Sequence, residues 1–377
     1  MNVSSSVVSP GLWALAWRRL RADRIALIAM AVVGLFLLSL ILSSSGLIAA
    51  DWEAEVGVSY APPGFVGVSD AGSEAGAGAQ NVQQTAPQSV PENPLDPLRE
   101  VIRELKKNQP GNAANTEAMT INDYGIVDPL EEEMQALRAK LPSKSAAASV
   151  RLETLPFGAD KWGHDILKKT IKGAETSIVV GLVAALLATF IGTLLGAVSG
   201  YFGGWVDDVL NWFYSIFTSI PYLLLILAVA AVLQQKGVVT IVLILAFTGW
   251  TGTYRLIRAE YLKHKSREYV MAADAIGASH WRKMFGHIFP NVSHVALVQV
   301  SILVVGFIKS EVILSFLGFG VPVGVVSWGS MLNEAQNELI LGKWWQLTAA
   351  SLAMAVLVTA FSLFTDALRD ALDPKLK

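Results

Sequence analysis

Six stretches of the chain are apolar for long enough to cross a bilayer, and polar segments of very unequal length separate them. The first runs from about Ile25 to Ile48, and the others cover roughly 177–201, 209–233, 238–254, 292–317 and 345–364. A helix rises ~1.5 Å per residue, so about 20 residues cross the ~30 Å hydrocarbon layer. Backbone groups in lipid must find partners within their own segment. The pattern therefore predicts an all-α polytopic membrane protein with six transmembrane helices.

The connecting segments divide the chain. Residues 1–24 form an N-terminal arm, 25–48 the first span, 49–156 a long polar insertion, 157–366 the remaining membrane domain and 367–377 a polar tail. Arginines at 18, 19, 21 and 24 followed by apolar residues resemble a signal peptide, but the run is long enough to span and is read as an uncleaved first helix. Within the insertion, 61–94 is rich in Gly, Ala, Ser, Gln and Pro and is expected to be partly disordered; short helices are expected near 97–107 and 129–141. Lys168, Lys169 and Lys172 suggest an amphipathic approach along the membrane surface before the second span.

Particular residues inside the spans stand out. Gly192, Gly196 and Gly200 recur every four residues, which bares one helix face for close packing of another helix. Pro221 lies inside the third span and frees a carbonyl there, so it is a candidate hinge or a static kink. Lys309 and Glu311 are charged residues near the far end of the fifth span; two positions apart, they cannot face each other on a helix.

Between the fourth and fifth spans lies a segment too polar to enter lipid and too regular to be a simple connector, the loop 257–291. Tyr269, Ala272, Ala273 and Ile276 fall at i, i+3, i+4 and i+7, on one face of a helix. Gly277 supplies a turn, Ser279 can cap a second short helix, and Pro290 is expected to end it. The segment reads as a helix–turn–helix at the membrane surface, presented to a partner; an amphipathic helix resting on lipid is the other reading.

Basic residues set the orientation. The N-terminal arm carries its four arginines, the 255–283 region holds seven Arg and Lys, and the short links on the opposite side offer only Lys236 and Lys343. Long loops escape the rule, so the insertion is not counted. Both termini and the 257–291 loop are expected in the cytoplasm, with the insertion outside.

Overall composition changes the picture little: 53% of residues are hydrophobic, 16% are charged, the net charge is −2 and there is no cysteine. Nothing points to nucleic acid. The chain contains no Gly-x-x-x-x-Gly-Lys-[Ser/Thr] phosphate loop, no His-Glu-x-x-His and no Gly-x-Ser-x-Gly, and its five histidines show no metal-ligand spacing. It reads as a non-enzyme with no catalytic, metal or cofactor residues of its own, whose engine is borrowed.

Four separated motifs then carry a resemblance. Glu268-Tyr269-Val270-x-Ala272-Ala273-x-Ala275-x-Gly277-Ala278-Ser279, followed by His287-Ile288-Phe289-Pro290-Asn291, resembles the "EAA" loop of ABC importer permeases, most of all the second, C-type permease of dipeptide and oligopeptide systems. Phe157 to Asp165 resembles that family's Leu-Gly-Thr-Asp-x-x-Gly-Arg-Asp; Ser315 to Pro322 with Trp328-Gly329 resembles its stretch after the fifth helix; Asp366-Ala367-x-Arg369-Asp370-x-x-Asp373-Pro374 resembles its C-terminal signature. The likeness covers 12–48 and 157–377.

It implies a type I importer permease fold in the cell inner membrane. It implies a heterodimer with a second permease, two cytoplasmic ATPases that bind ATP and Mg, and an extracytoplasmic solute-binding protein. Coupling to an ATPase is carried over to Glu268, Tyr269, Ala272, Ala273, Gly277, Ala278, Ser279, His280, Trp281, Arg282 and Pro290. Met271 departs from the wider pattern's Glu, Ala159 from Thr and His164 from Arg, and the insertion is longer than in the ordinary dipeptide type. The implied cargo is a dipeptide, an oligopeptide or a modified peptide. Nickel or another small solute on the same scaffold, an ion-coupled secondary transporter, and a non-transporting anchor are the alternatives.

Overall fold

The computed structural model describes residues 12–67, 151–322 and 324–372. The N-terminal residues before Leu12, the last five residues and most of the insertion lie outside them, including both short helices and most of the mobile stretch expected there.

The described residues are mostly helical, with irregular stretches at 45–67 and 151–165. In chain order they form α1 (Leu12–Ala22), α2 (Arg24–Ser44), α3 (Ile166–Phe202), α4 (Gly204–Ser219), α5 (Tyr222–Leu233), α6 (Val238–Gly249), α7 (Thr251–Lys265), α8 (Glu268–Ala275), a π-helical segment (Arg282–Ile288), α9 (Phe289–Phe316), α10 (Trp328–Ile340) and α11 (Trp345–Leu372). Among the described residues four runs are long and apolar enough to cross a membrane, or up to six if each of two bent pairs is one span.

Both bent pairs have local causes. The expected third span breaks by 90° between α4 and α5. Ile220 takes an extended conformation (φ −101°, ψ 132°) before Pro221, as a residue preceding proline prefers. Pro221 then starts α5 with no N–H to extend the ladder of α4. The candidate hinge is thus a sharp corner rather than a kink within one helix. The expected fourth span bends by 41° at Trp250, between α6 and α7.

The N-terminal arm contains α1, which the apolar runs alone do not reveal. It packs Leu20 against Ala371 and Leu372 at the end of α11, and Arg19 donates to the Ala371 carbonyl at 3.4 Å.

The core is built on α3, which touches α2, α4, α6, α7, α9, α10 and α11. Its 37 residues extend ~55 Å, well beyond the hydrocarbon layer. Small residues along it, including Ala184, Ala185 and Ala188, are fully buried, and around them pack Ile241 and Leu245 of α6, Val304 and Phe307 of α9, and Trp328 of α10. The Trp328 indole N–H donates to the Thr170 carbonyl at 3.1 Å, so burying the largest apolar ring leaves no orphan donor.

The glycine row packs α3 on α7. A Cβ at Gly192 would lie 2.6 Å from the Trp250 carbonyl oxygen, at Gly196 2.7 Å from that of Tyr254, and at Gly200 2.6 Å from that of Arg258. Backbone meets backbone along two turns, which only glycine permits. Bonds lock the contact at its end: Asp207 accepts two hydrogen bonds from the Arg258 guanidinium, at 2.6 Å each, and Ser199 and Tyr254 share a hydrogen bond at 2.9 Å.

At the opposite end of α3 the two flanks of the insertion are zipped together. The Val58 N–H donates to the Leu152 carbonyl at 2.9 Å, Gly64 to Leu155 at 2.8 Å, Gly57 to Gly163 at 2.9 Å and Ala159 to Ala61 at 2.8 Å. Gly163 has φ +88° and a Cβ there would sit 2.1 Å from the Gly57 carbonyl oxygen, so the turn before α3 needs glycine for two reasons.

Candidate functional site

The loop 257–291 forms one packed body with the ends of α3, α7 and α9. Tyr261 is fully buried at its centre and donates to the Met284 carbonyl at 3.1 Å. Around it lie Ala197 and Tyr201 of α3, Ile257 of α7, Val270 of α8, and Met284, Ile288 and Val292 of the segment leading into α9.

α8 ends as the sequence suggests. Gly277, at φ +77°, donates to the Asp274 carbonyl at 2.9 Å, and Ala278 donates back to the Ala273 carbonyl at 3.0 Å. This crossed pair closes a helix with a left-handed residue, a conformation glycine adopts without penalty. Ser279 then caps the next segment: its hydroxyl accepts the Arg282 N–H at 3.4 Å and its carbonyl that of Lys283 at 2.9 Å.

Pro290 does not end that segment. A π-helical stretch over Arg282–Ile288 runs straight into α9, and Pro290 stands in the first turn of α9. Carrying no N–H, Pro290 falls where the π-helical bonding of the preceding turn gives way to the α-helical bonding of α9, and the helix continues past it.

The expected face divides. Ala273 is buried with Val270, whereas Tyr269, Ala272 and Ile276 are at the surface, Ile276 at 83% exposure. Trp281 is 60% exposed and stacks on Phe285, with ring centroids 5.6 Å apart. Glu268, Ser279, His280 and Arg282 are also exposed, and Ala278 is half-buried. The result is a tip with a packed base, bearing uncovered apolar side chains beside charged ones.

Tyr201, His264, Asp274 and Lys283 hold the tip, and no motif marked them. His280 Nδ1 pairs with the Tyr201 hydroxyl at 2.9 Å, and His264 Nδ1 with the Tyr269 hydroxyl at 2.8 Å. Lys283 pairs with Asp274 across the turn, and that hydrogen bond, with the lysine's charge, holds the Asp274 carboxyl below its ordinary range. The Tyr201–His280 pairing joins residues 79 positions apart, and only the fold brings them together.

A second polar centre lies at the other end of α3. Lys169, expected at a membrane surface, is buried between Asp160 at 2.7 Å and Glu334 of α10 at 2.6 Å. Gln346 of α11 donates to Glu334 at 3.2 Å and to the Met331 carbonyl at 3.1 Å. Asp160 also accepts the backbone N–H groups of Trp162 (2.9 Å) and His164 (3.0 Å) and pairs with His164 Nδ1 at 2.9 Å. Burial raises the Asp160 pKa, but Lys169 and the bonds from His164 outweigh it and hold the carboxyl below its ordinary range. Four elements are thereby tied at one lysine.

Glu338, one turn after Glu334, is buried with no hydrogen bond to either oxygen; the Lys161 backbone N–H favours its charged form without meeting bonding geometry. Burial pushes its carboxyl up to about 7, partly offset by Lys169 and reinforced by Asp160 and Glu334.

Lys309 and Glu311 have separate surroundings. Lys309 is exposed. Glu311 is fully buried and accepts hydrogen bonds from Ser177 of α3 at 2.6 Å and Ser315 at 2.7 Å, while Ser177 also receives the Trp328 N–H at 3.3 Å. Glu311 is therefore a tie between α3, α9 and α10. Among the described residues no group of three or more His, Asp or Glu side chains is placed to hold a metal ion.

The family model for the binding-protein-dependent transport system inner membrane component matches residues 192–377, and that for the N-terminal TM domain of oligopeptide transport permease C matches 11–63. A dipeptide transport system permease of Bacillus subtilis is 32% identical over 77% of the chain and 89% of its own length. An oligopeptide transport system permease of the same organism is 37% identical over 59% of the chain and 72% of its own length. A peptidoglycan transport system permease of Agrobacterium fabrum is 35% identical over 58% of the chain and 57% of its own length.

The buried Glu338 predicts a pH dependence. Its pKa rises from an ordinary 4.5 to about 7 on folding, so the folded state holds the extra proton between those values. This contribution to stability is full below pH ~4.5 and is lost as the pH rises to about 7. Glu338→Gln should flatten the fall in melting temperature of the detergent-purified protein between pH 5 and pH 8; an unchanged slope would contradict the assignment.

Proposed function

The chain belongs to the family of binding-protein-dependent transport system inner membrane components, and from that premise we propose that it forms half of the translocation path of an ATP-driven peptide importer. The relatives are named for dipeptide, oligopeptide and peptidoglycan transport, and peptide is the chemistry their cargoes share. ATP is consumed by partner subunits. A second permease completes the path, two ATPases dock from the cytoplasm, and a solute-binding protein delivers cargo from outside.

The tip of the 257–291 loop is the ATPase dock. The observation that carries this is the pairing of a locked base with an uncovered apolar summit: Val270 and Ala273 are buried, while Ile276 and Trp281 stand 83% and 60% exposed. A packed element moves as a unit instead of deforming, so force on the summit passes to α3, α7 and α9. Glu268, Arg282 and the exposed Tyr269 supply polar contacts around the summit, and Gly277 with Ser279 sets its angle. In this reading both termini and the tip face the cytoplasm, and the Lys169 centre and the insertion lie outside.

Gly277 has open space around the position of a Cβ, so a side chain there strains only the backbone. Gly277→Val should abolish ATP-dependent uptake of a radiolabelled peptide while the protein stays in the membrane, and Gly277→Asn, which tolerates positive φ, should keep a substantial part. Normal uptake with valine would contradict the docking role. The chain has no cysteine, so orientation is directly testable. Glu53→Cys should react with an impermeant maleimide in intact spheroplasts and Ser266→Cys only after lysis; the reverse pattern would invert the topology.

A further inference from the structure

Outside the dock and the path, one feature of the membrane-facing surface has the form of a binding site. A groove of about 420 Å³ runs between α2 and α11. Ile25, Ala29 and Val32 line one side, and Ala355, Thr359 and Leu363 line the other. Ala29 and Ala360 are buried and make its floor, while Ile25, Ile28 and Leu363 stand up as exposed walls. The eight residues from Ile25 to Val32 give it a length of ~10 Å, a large part of one leaflet's ~15 Å of hydrocarbon. Only 17% of the most apolar window of each helix is buried, so the groove is cut into a surface turned away from the core.

Lipid tails are as apolar as leucine, so shape alone would favour no particular lipid. Charge supplies the preference. The groove begins at Ile25, next to Arg24, where α1 turns into α2. Arg18, Arg21 and Arg24 are exposed and make no ion pair among the described residues. Arg21 lies 5.0 Å from the ring centroid of Trp17, itself 47% exposed, as interfacial pairs do. The neighbouring acid of α1–α2, Asp23, is engaged in capping α2 by accepting the Ile25 N–H at 2.8 Å. Counting both helix ends here, five arginines (Arg18, Arg19, Arg21, Arg24 and Arg369) stand against three aspartates (Asp23, Asp366 and Asp370).

We propose that this groove is a binding site for an anionic phospholipid, which lays one acyl chain along Ala29 and Ala360 and sets its phosphate against Arg18, Arg21 and Arg24. The bound lipid would join α1, α2 and α11, the helices that hold the outer edge of the bundle. The inference needs only that the chain lies in a membrane, and it stands apart from cargo and ATPase.

The full-length protein in detergent, titrated with dioleoyl phosphatidylglycerol or phosphatidylcholine and read by native mass spectrometry, tests it. The native chain should retain phosphatidylglycerol well above phosphatidylcholine. The triple variant Arg18→Gln, Arg21→Gln, Arg24→Gln should lose that preference, by roughly fivefold per arginine. Thr359→Phe, which fills the groove and leaves the arginines, should lose the tightest phosphatidylglycerol adduct. Circular dichroism and gel filtration establish that each variant is folded. A photo-crosslinker at Val356 in membranes should capture lipid. Equal retention of the two lipids by the native chain, a preference that survives the triple variant, or capture of a second polypeptide at Val356 would each overturn the proposal, the last by making the groove a protein interface.

Discussion

The architecture depends on backbone-to-backbone contact between α3 and α7 along Gly192, Gly196 and Gly200. Within lipid, no hydrophobic force distinguishes helix from tail, so association rests on close packing and on polar ties. Here the glycines provide the first, and the Asp207–Arg258 pair with the Ser199–Tyr254 bond provides the second. Once α7 is held to α3, Tyr261 must fall against Met284, and Tyr201, one residue beyond Gly200, must meet His280. The loop at the membrane surface is thereby no loop in the mechanical sense. It is an extension of two helices.

The same long helix carries its order to the other end. Lys169 gathers Asp160, Glu334 and Gln346, and Ser177 bonds Glu311. A buried ion pair adds little net stability, because desolvation offsets the attraction. Its value is positional: a lysine with two carboxylates around it admits few arrangements. With Glu311, it fixes how α10 and α11 meet α3. In the proposed docking, a displacement at the Gly277 tip would reach the far side through one long helix. In a family whose members pass cargo across the inner membrane, this is a physical route by which work done on one face can open the other.

Much of this was legible in the sequence, for reasons that can be named. Apolar runs showed the spans because lipid demands uninterrupted apolarity, and the glycine row showed a packing face because its period matches the helix. Gly277 and Ser279 were readable because turns and caps are local. Corners were harder. Pro221 announced a break but not its 90° size, and Pro290 sits inside a continuous helix because a π-helical segment precedes it. Least legible were Lys169, Glu338 and the Tyr201–His280 pair. Lys169 looks like any interfacial lysine until Glu334, 165 positions later, is placed beside it. The amphipathic α1 was hidden because its arginines break the apolar run along the sequence.

The central claim is that α8 and its tip move with α3 as one body. Spin labels at Leu186→Cys on α3 and Ala275→Cys on α8, in a chain with no native cysteine, allow their separation to be measured by electron–electron resonance in the assembled transporter. The account predicts one narrow distance distribution, unchanged between the nucleotide-free state and a state trapped with ATP. A shifted or broadened distribution on ATP binding would show that the tip moves independently of α3, and would contradict it.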